Sequence, residues 1–353
     1  MRAIVRRGRR VSPGSRATLA LVQIPVIVLL ALSSNVGASP LFEDSSVVEV
    51  KLSGPLSSLF ETADDRTELP FSFTANGAEH AVKVRLRGKS RRRVCEFPPL
   101  RLNFSAADTS QTTFAGQDKL KLVTHCRGSR AAQVDLLEEY AAYRIFNLLS
   151  DFSFRVRLLH ITYTDTDGGL KESTFDRYGF LIEPAPGLAE RVDGQLTEVP
   201  GVSLGSLDVD QIATVFIFQY LIGNTDWSLV TNDEDDACCH NGDLIDTESG
   251  RYYVPYDFDL SGMVNARYAR PDPSLRIKRV TQRRYRGFCI PGEALEDALD
   301  KIMARRADIM NVIAQVTRLS TKEIAATTRF IDKFFAEAGN ADKLLASFER
   351  RCL

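Results

Sequence analysis

Beyond its first forty residues the chain lacks any stretch long and apolar enough to cross a bilayer as a helix, which excludes a helical membrane protein. It also lacks a charge excess: 45 Lys and Arg stand against 46 Asp and Glu, so nucleic acid is not an expected partner, because phosphate binding needs a concentrated cationic surface. There is no Gly-x-Ser-x-Gly elbow and no His-Glu-x-x-His helix, which leaves serine hydrolase and zinc protease readings without support. No internal repeat and no low-complexity tract is present, so solenoids and disordered tails are set aside. Tryptophan occurs once, at Trp227 beside Asp226; it has the surface to stack on a sugar or a base, although a lone tryptophan more often packs a core.

What is present begins with a tripartite start. Arg2, Arg6, Arg7, Arg9, Arg10 and Arg16 precede an apolar run from Ala17 to Leu32, and Val36-Gly37-Ala38 follows as a small-residue cleavage site. Gln23 and Pro25 interrupt a run of about 16 residues, short of the roughly 20 that span a bilayer, so the expectation is a cleaved signal at 1–38 rather than an anchor. The mature protein, of about 315 residues, is then large enough for a well-buried core, is extracytoplasmic (periplasmic or secreted), and has no membrane span after cleavage. Cys95, Cys126, Cys238, Cys239, Cys289 and Cys352 form an even set that favours disulfides in an exported chain, although six allow 15 pairings. Cys95 with Cys126 is the preferred bridge, since each closes or follows an expected strand. A zinc site at Cys238, Cys239 and His240 is the rival, but three adjacent residues do not easily all face one ion.

The pattern divides the remainder into a sheet-rich part, 39–185, and a helix-rich part, 186–353. Alternation predicts strands at Val47–Leu52, Ala81–Gly88, Leu100–Phe104 and Lys119–Val123, with more continuously apolar strands at Arg155–Tyr163 and Tyr178–Glu183. A helical period runs from Ala131 to Leu149, with Glu138 and Glu139 near its middle. Pro184 to Val202 reads as a connection. Asp208 caps an apolar helix that Gly223 stops, a strand follows at Arg251–Pro255, and two helices close the chain, the second opened by the capping box Ser320 to Glu323. Two basic runs, Arg85 to Arg93 and Arg276 to Arg286, read as solvated faces unless one of them meets a polyphosphate or an acidic substrate.

The chemistry concentrates in Gly223-Asn224-Thr225-Asp226-Trp227, His240-Asn241 and Tyr256-Asp257-Phe258-Asp259. An aspartate after a helix end, an asparagine in a loop and two aspartates after a strand bring oxygen ligands toward one point. Such ligands suit magnesium or calcium, and magnesium suits nucleotide phosphates. In a phosphoryl-transfer reading Asp226 orients or deprotonates the acceptor hydroxyl, while Asn241 and Asp257 or Asp259 hold the metal; Asn232 is an alternative ligand. The plainer alternative has Asp226 capping a turn and the aspartate pair exposed or binding calcium for stability. A two-carboxylate glycoside hydrolase is a third reading, decided by a carboxylate separation that a sequence does not give.

Leu221 to Trp227 resembles the catalytic-aspartate segment of the spore-coat-protein H (CotH) kinase family, and Val254 to Asp259 is similar to its metal-binding aspartate segment. Leu86 to Arg91 resembles that family's Gly-Asn-Ser-Ser-Arg turn, and Tyr178 to Glu183 its strand ending in Glu. The resemblance covers roughly Val82 to Gly262 and implies an α+β, two-lobed atypical protein-kinase-like fold with a sheet-rich N-lobe and a helical C-lobe. It further implies ATP and magnesium as cofactors and an unknown protein or envelope polymer as acceptor. A nucleotide-binding Lys121, with Lys119 second, would pair with Glu139 before Glu138, with Arg87 and Trp227 beside the nucleotide. Pro98 and Pro99 stand where the family commonly carries lysine, and the Asp226 to Asn241 interval is long. A catalytically inactive kinase-like scaffold is the alternative function.

Overall fold

Alternate residues that are apolar build the first half of the molecule. In the computed structural model, which describes residues 40–62, 64–105, 109–110, 112–229 and 238–353, seven strands carry this pattern. They are Val48–Gly54 (β1), Leu69–Ala75 (β2), Ala78–Leu86 (β3), Leu100–Phe104 (β4), Lys119–Val123 (β5), Val156–Asp165 (β6) and Thr174–Ile182 (β7). The strands close into a barrel in the order β1-β2-β3-β4-β5-β7-β6, with β6 lying parallel to β1 so that Val48 faces Leu159. Closure leaves no strand edge with unpaired backbone groups. Leu52, Phe73, Val84, Leu102, Leu120 and Tyr163 fill the interior. The sequence did not indicate β2, whose apolar positions are split by Pro70, Ser72 and Thr74.

Short helices at Pro40–Glu43 (α1), Leu56–Phe60 (α2) and Arg91–Val94 (α3) interrupt the strands. The long helix Arg130–Leu149 (α4) starts at Ser129, whose side chain accepts from the Ala132 amide. It packs Leu137, Ala141, Ile145 and Phe146 into a second core shared with Val156, Leu158, Phe180 and Ile182. The first part of β6 and the last part of β7 are therefore buried on both faces, which is why they read as continuously apolar.

The Pro184 to Val202 segment is more ordered than its composition suggested. It holds the helix Ala185–Arg191 (α5), pinned where Arg191 donates to both oxygens of Glu183 at 3.0 and 2.9 Å, and the strand Gln195–Thr197 (β8). Strand β8 joins Gly242–Asp246 (β9) and Arg251–Pro255 (β10) in a small sheet ordered β10-β9-β8. Before that hairpin runs Val209–Ile222 (α6), capped as expected by Asp208, which accepts from the Gln211 amide at 2.8 Å, and ended by Gly223 at φ 65°. A helix this apolar on all sides belongs inside, and α6 is almost wholly buried. The chain closes with Gly292–Ala304 (α7), Arg306–Ala314 (α8), Thr321–Ala338 (α9) and Ala341–Glu349 (α10). Arg305 breaks the first expected closing helix, and the Gly339-Asn340 break and the Ser320–Glu323 capping box stand where the sequence put them. From Gly37 to Leu353 the chain is one compact unit, built of mixed α and β structure. The signal-like segment, Asn232 and the acidic run 233–236 lie outside the described residues.

Cysteines pair as Cys95–Cys126, Cys238–Cys239 and Cys289–Cys352. The preferred bridge is present. The zinc reading is corrected, because Cys238 and Cys239 are bonded to each other and offer no thiolate to a metal. Disulfides of this number are compatible with an oxidising compartment, and among the described residues no helix is long and apolar enough to cross a membrane. The Cys95–Cys126 bridge closes a 31-residue separation. Replacing both cysteines by serine is expected to lower unfolding stability by about 3–4 kcal/mol, read as a lowered urea midpoint with a steeper slope, because the unfolded chain is no longer cross-linked.

Candidate functional site

One guanidinium organises the space between the barrel, α4 and the end of β10. After β3 the chain turns at Gly88, with φ 90°, and α3 then carries Arg91 inward. Its Nε donates to Asp259 Oδ2 at 2.8 Å, and its Nη2 donates to both Glu139 oxygens at 3.1 Å and to Asp257 Oδ1 at 3.0 Å. Arg91, Glu139 and Asp259 are buried, whereas the Asp257 side chain is 44% exposed. Desolvation opposes the Arg91 charge, but Asp259, Glu139 and Asp257 outweigh it and hold its pKa above the usual value. Burial pushes Glu139 and Asp259 the other way, toward the protonated form, against the pull of Arg91. One cation among three carboxylates leaves negative charge over, so a proton or a second cation belongs to this cluster. Tyr268 Oη donates to Asp259 Oδ2 at 2.8 Å, and Tyr143, one turn beyond Glu139 on α4, accepts from the Asp257 amide at 2.9 Å.

Beside this cluster lies a narrow cleft of about 60 Å³, lined by Arg87, Gly88, Lys121, Tyr143, Tyr256 and Asp257 among others. Lys121 points from β5 across the Tyr256 ring, 5.2 Å from its centroid. Burial lowers the Lys121 pKa and the nearby Arg87 lowers it further, with Asp243 and Asp257 opposing. Burial likewise lowers Arg87, partly offset by Asp257. Two cations and one half-exposed carboxylate thus share a small, poorly hydrated space.

A second constellation forms at the end of α6. The Asp226 amide donates to Asn224 Oδ1 at 3.0 Å, Asp226 Oδ1 meets His240 Nε2 at 3.0 Å, and Oδ2 accepts from Asn241 Nδ2 at 3.0 Å. The hydrogen bond to Asp226 raises the His240 pKa, and the Asp257 charge adds to it. The β9–β10 hairpin joins the two constellations: Pro255 faces Gly242, and the Tyr256 amide donates to the Asn241 carbonyl at 3.0 Å. Asp226, Asn241 and Asp257 therefore meet through one short chain of contacts, although they are far apart in sequence.

Several expected placements are corrected. Glu139 does not pair with Lys121, because Arg91 takes its carboxylate; Lys119 is exposed beside Asp118 at 3.5 Å. Glu138 turns away from the cluster and bonds Thr327. Trp227 does not face the cleft. It is 2% exposed, with Phe216 and Tyr253 rings at 5.5 and 6.4 Å, so no ring face is left for a ligand. Asp259 is committed to Arg91 and Tyr268 rather than open to a metal. Arg91 itself sits in the run Arg91-Arg92-Arg93, where nothing local marks which arginine is buried; the turn resemblance that ends on it was the only signal.

No family model matches this sequence. No curated protein matches it either. Among solved structures, one described as "Crystal structure of A Helicobacter pylori proinflammatory kinase CtkA" is similar over 82% of this chain and 94% of that chain, at 12% identity and a TM-score of 0.35. A likeness at that level says nothing about individual residues, so the site rests on its own geometry.

Two outcomes test that geometry. Arg91→Ala leaves three carboxylates without their cation and is expected to cost about 3–5 kcal/mol in chemical denaturation; a change below about 1 kcal/mol would contradict the hub, since that is what an exposed pair contributes. The raised His240 pKa means the folded state binds a proton more tightly than the unfolded one. Its stabilisation is complete below the ordinary histidine value of about 6.5 and fades as pH rises through the raised value. Wild type should therefore exceed His240→Gln in melting temperature most near pH 5.5 and least near pH 8, by less than about 1 kcal/mol because both partners are over one-third exposed.

Proposed function

We propose that this protein is an extracytoplasmic kinase-like phosphotransferase that uses ATP with magnesium and acts on a hydroxyl of a protein or envelope polymer. The observation that supports it most is the shared cleft: Arg87, Lys121 and the half-exposed Asp257 line one wall-to-wall space, and the Asp226–His240 pair lies within reach of the Asp257 charge. Phosphoryl transfer asks the protein mainly for positioning and for charge, which this set supplies in kind. The likeness of the two aspartate segments to those of CotH kinases points the same way.

The donor set suits magnesium rather than calcium. Asp257 Oδ2 and Asn241 Oδ1 accept no hydrogen bond among the described residues, whereas no group of three or more acidic, His or Cys ligands gathers there. Magnesium keeps several waters and takes one or two carboxylates plus substrate phosphates, while calcium asks for six to eight oxygens. Asp257 and Asn241 would hold the ion, which when bound neutralises phosphate charge. Arg87 and Lys121 would hold phosphate oxygens, and Lys121, with its pKa lowered, keeps contact with the Tyr256 face until they arrive. Asp226, clamped by His240 and Asn241, is oriented to accept the acceptor's hydroxyl proton, and His240 shares that hydrogen bond as the charge on Asp226 changes.

A second reading, a catalytically inactive kinase-like scaffold, is favoured by the cleft's size. About 60 Å³ is far below the 300–1,000 Å³ of small-molecule sites, so the nucleotide needs the Arg87–Arg91 turn to swing outward. A thermal-shift titration separates the two. The phosphotransferase reading expects millimolar ATP with magnesium to raise the midpoint, Asp257→Asn to abolish the rise, and Asp226→Asn to keep binding while losing phosphate transfer. No midpoint change in the wild type would leave the scaffold.

A further inference from the structure

Along α4, beside the face that carries Glu139, lies a groove of about 1230 Å³, bounded by α4, the 262–282 segment and α9. Its base is apolar: Val264, Ala266, Ala269 and Val280 form a small buried cluster of their own, and the half-buried Val134 and Phe330 reach the surface of the groove. Its walls are cationic. Arg267 and Arg270 stand on one flank, Lys278 and Arg279 on the next, and Arg329 and Lys333 on α9, all six exposed. Arg270 is held by the carbonyls of Arg267 and Ala269 at 3.1 and 2.8 Å, while the other five side chains make no hydrogen bond or ion pair among the described residues.

The groove's own acids offset only part of this, Asp135 still carrying charge at neutral pH and Glu138 little. Asp135 is pushed by burial to about 6, and Glu138, bonded to Thr327, to about 8. A protein of net charge -1 thus gathers six cations around one furrow without partners for five of them. Like charges held close repel, and the concentration is relieved when an anionic ligand neutralises it. The furrow exceeds the volume of drug-sized sites, which points to a chain rather than a small anion. Cations on three flanks over an apolar base suit a ligand that alternates acidic and apolar side chains. Nucleic acid fits less well, since among the described residues Phe330 is the only aromatic ring on the lining and stacking platforms use several.

We propose that this groove docks an extended acidic segment of a partner protein, its carboxylates on Arg267, Lys278, Arg279, Arg329 and Lys333 and its apolar side chains on Val134 and Phe330. The docking is independent of phosphate transfer. It nevertheless adjoins the site: the Gly262 and Met263 amides bond the carbonyls of Gly223 and Ile222 just before Asp226, at 3.0 and 2.9 Å, and Tyr268 of the same segment holds Asp259. A docked segment would present neighbouring residues of its own protein near Asp226.

Fluorescence anisotropy of a labelled peptide alternating Glu and Leu, titrated with the full chain in the absence of nucleotide, tests this. Binding is expected at about 50 mM salt, weakening as salt rises. The pairs Lys278→Glu/Arg279→Glu and Arg329→Glu/Lys333→Glu should each weaken it by about tenfold or more, while Arg350→Glu/Arg351→Glu, exposed outside the groove, leaves it unchanged. All six positions are exposed, so the variants should keep the wild-type melting temperature. Absence of peptide binding, equal loss in the outside variant, or tight binding of polyphosphate that the peptide does not displace would each overturn the proposal.

Discussion

The centre of this molecule depends on a charge imbalance out of water: Arg91 is shared by Glu139 on α4 and by Asp257 and Asp259 after β10. Arg91, Glu139 and the Asp257–Asp259 pair come from three different parts of the chain, so the guanidinium fixes the barrel's turn, the long helix and the segment after the small sheet against one another. A buried ion pair is expensive to form and more expensive to break, because removal of one partner strands the other's charge. The Cys95–Cys126 bridge lies immediately after α3 and ties the segment that carries Arg91 to the residues after β5. Geometry here is held covalently on one side and electrostatically on the other.

That arrangement gives the neighbouring groups different states. Asp257 keeps 44% of its side chain exposed and one oxygen without a donor, whereas Asp259, two residues on, is sealed by Arg91 and Tyr268. In an extended segment both would face one way. Asp257 adopts φ 61°, so the alternation is broken between them and the two carboxylates take separate surroundings. Two acidic residues of the same type are thereby divided into a structural one and an available one. The cationic groove along α4 follows the same economy: Glu138 and Glu139, adjacent on the helix, part ways, one toward Thr327 and the groove, the other toward Arg91.

Much of the fold was legible locally. Capping at Asp208, Ser320 and Gly223 depends on backbone amides and carbonyls within a few residues, and those elements stand where the sequence set them. Barrel strands with clear alternation were equally readable, while β2 and β9 were not, since the apolar spacing of β2 is diluted by polar residues on its wet face and β9 is short. The Cys95–Cys126 pairing followed from each cysteine closing or following an expected strand in the same part of the chain. Asp226 and Asn241 meet because a helix stop and a hairpin start leave each on a loop. Which side chains lose water was not legible: Trp227, Lys121 and Arg91 are each surrounded by residues distant in sequence.

By itself, then, the sequence determined most of the elements, their caps and the clustering of aspartates near the end of α6 and of β10, which arise from interactions spanning a few residues, and it favoured one disulfide. The tertiary structure alone decided that Arg91 rather than Lys121 takes Glu139, that Trp227 belongs to the core, and that six scattered cations surround one groove. Desolvation and ion pairing depend on what packs from other parts of the chain, and no local pattern carries that information.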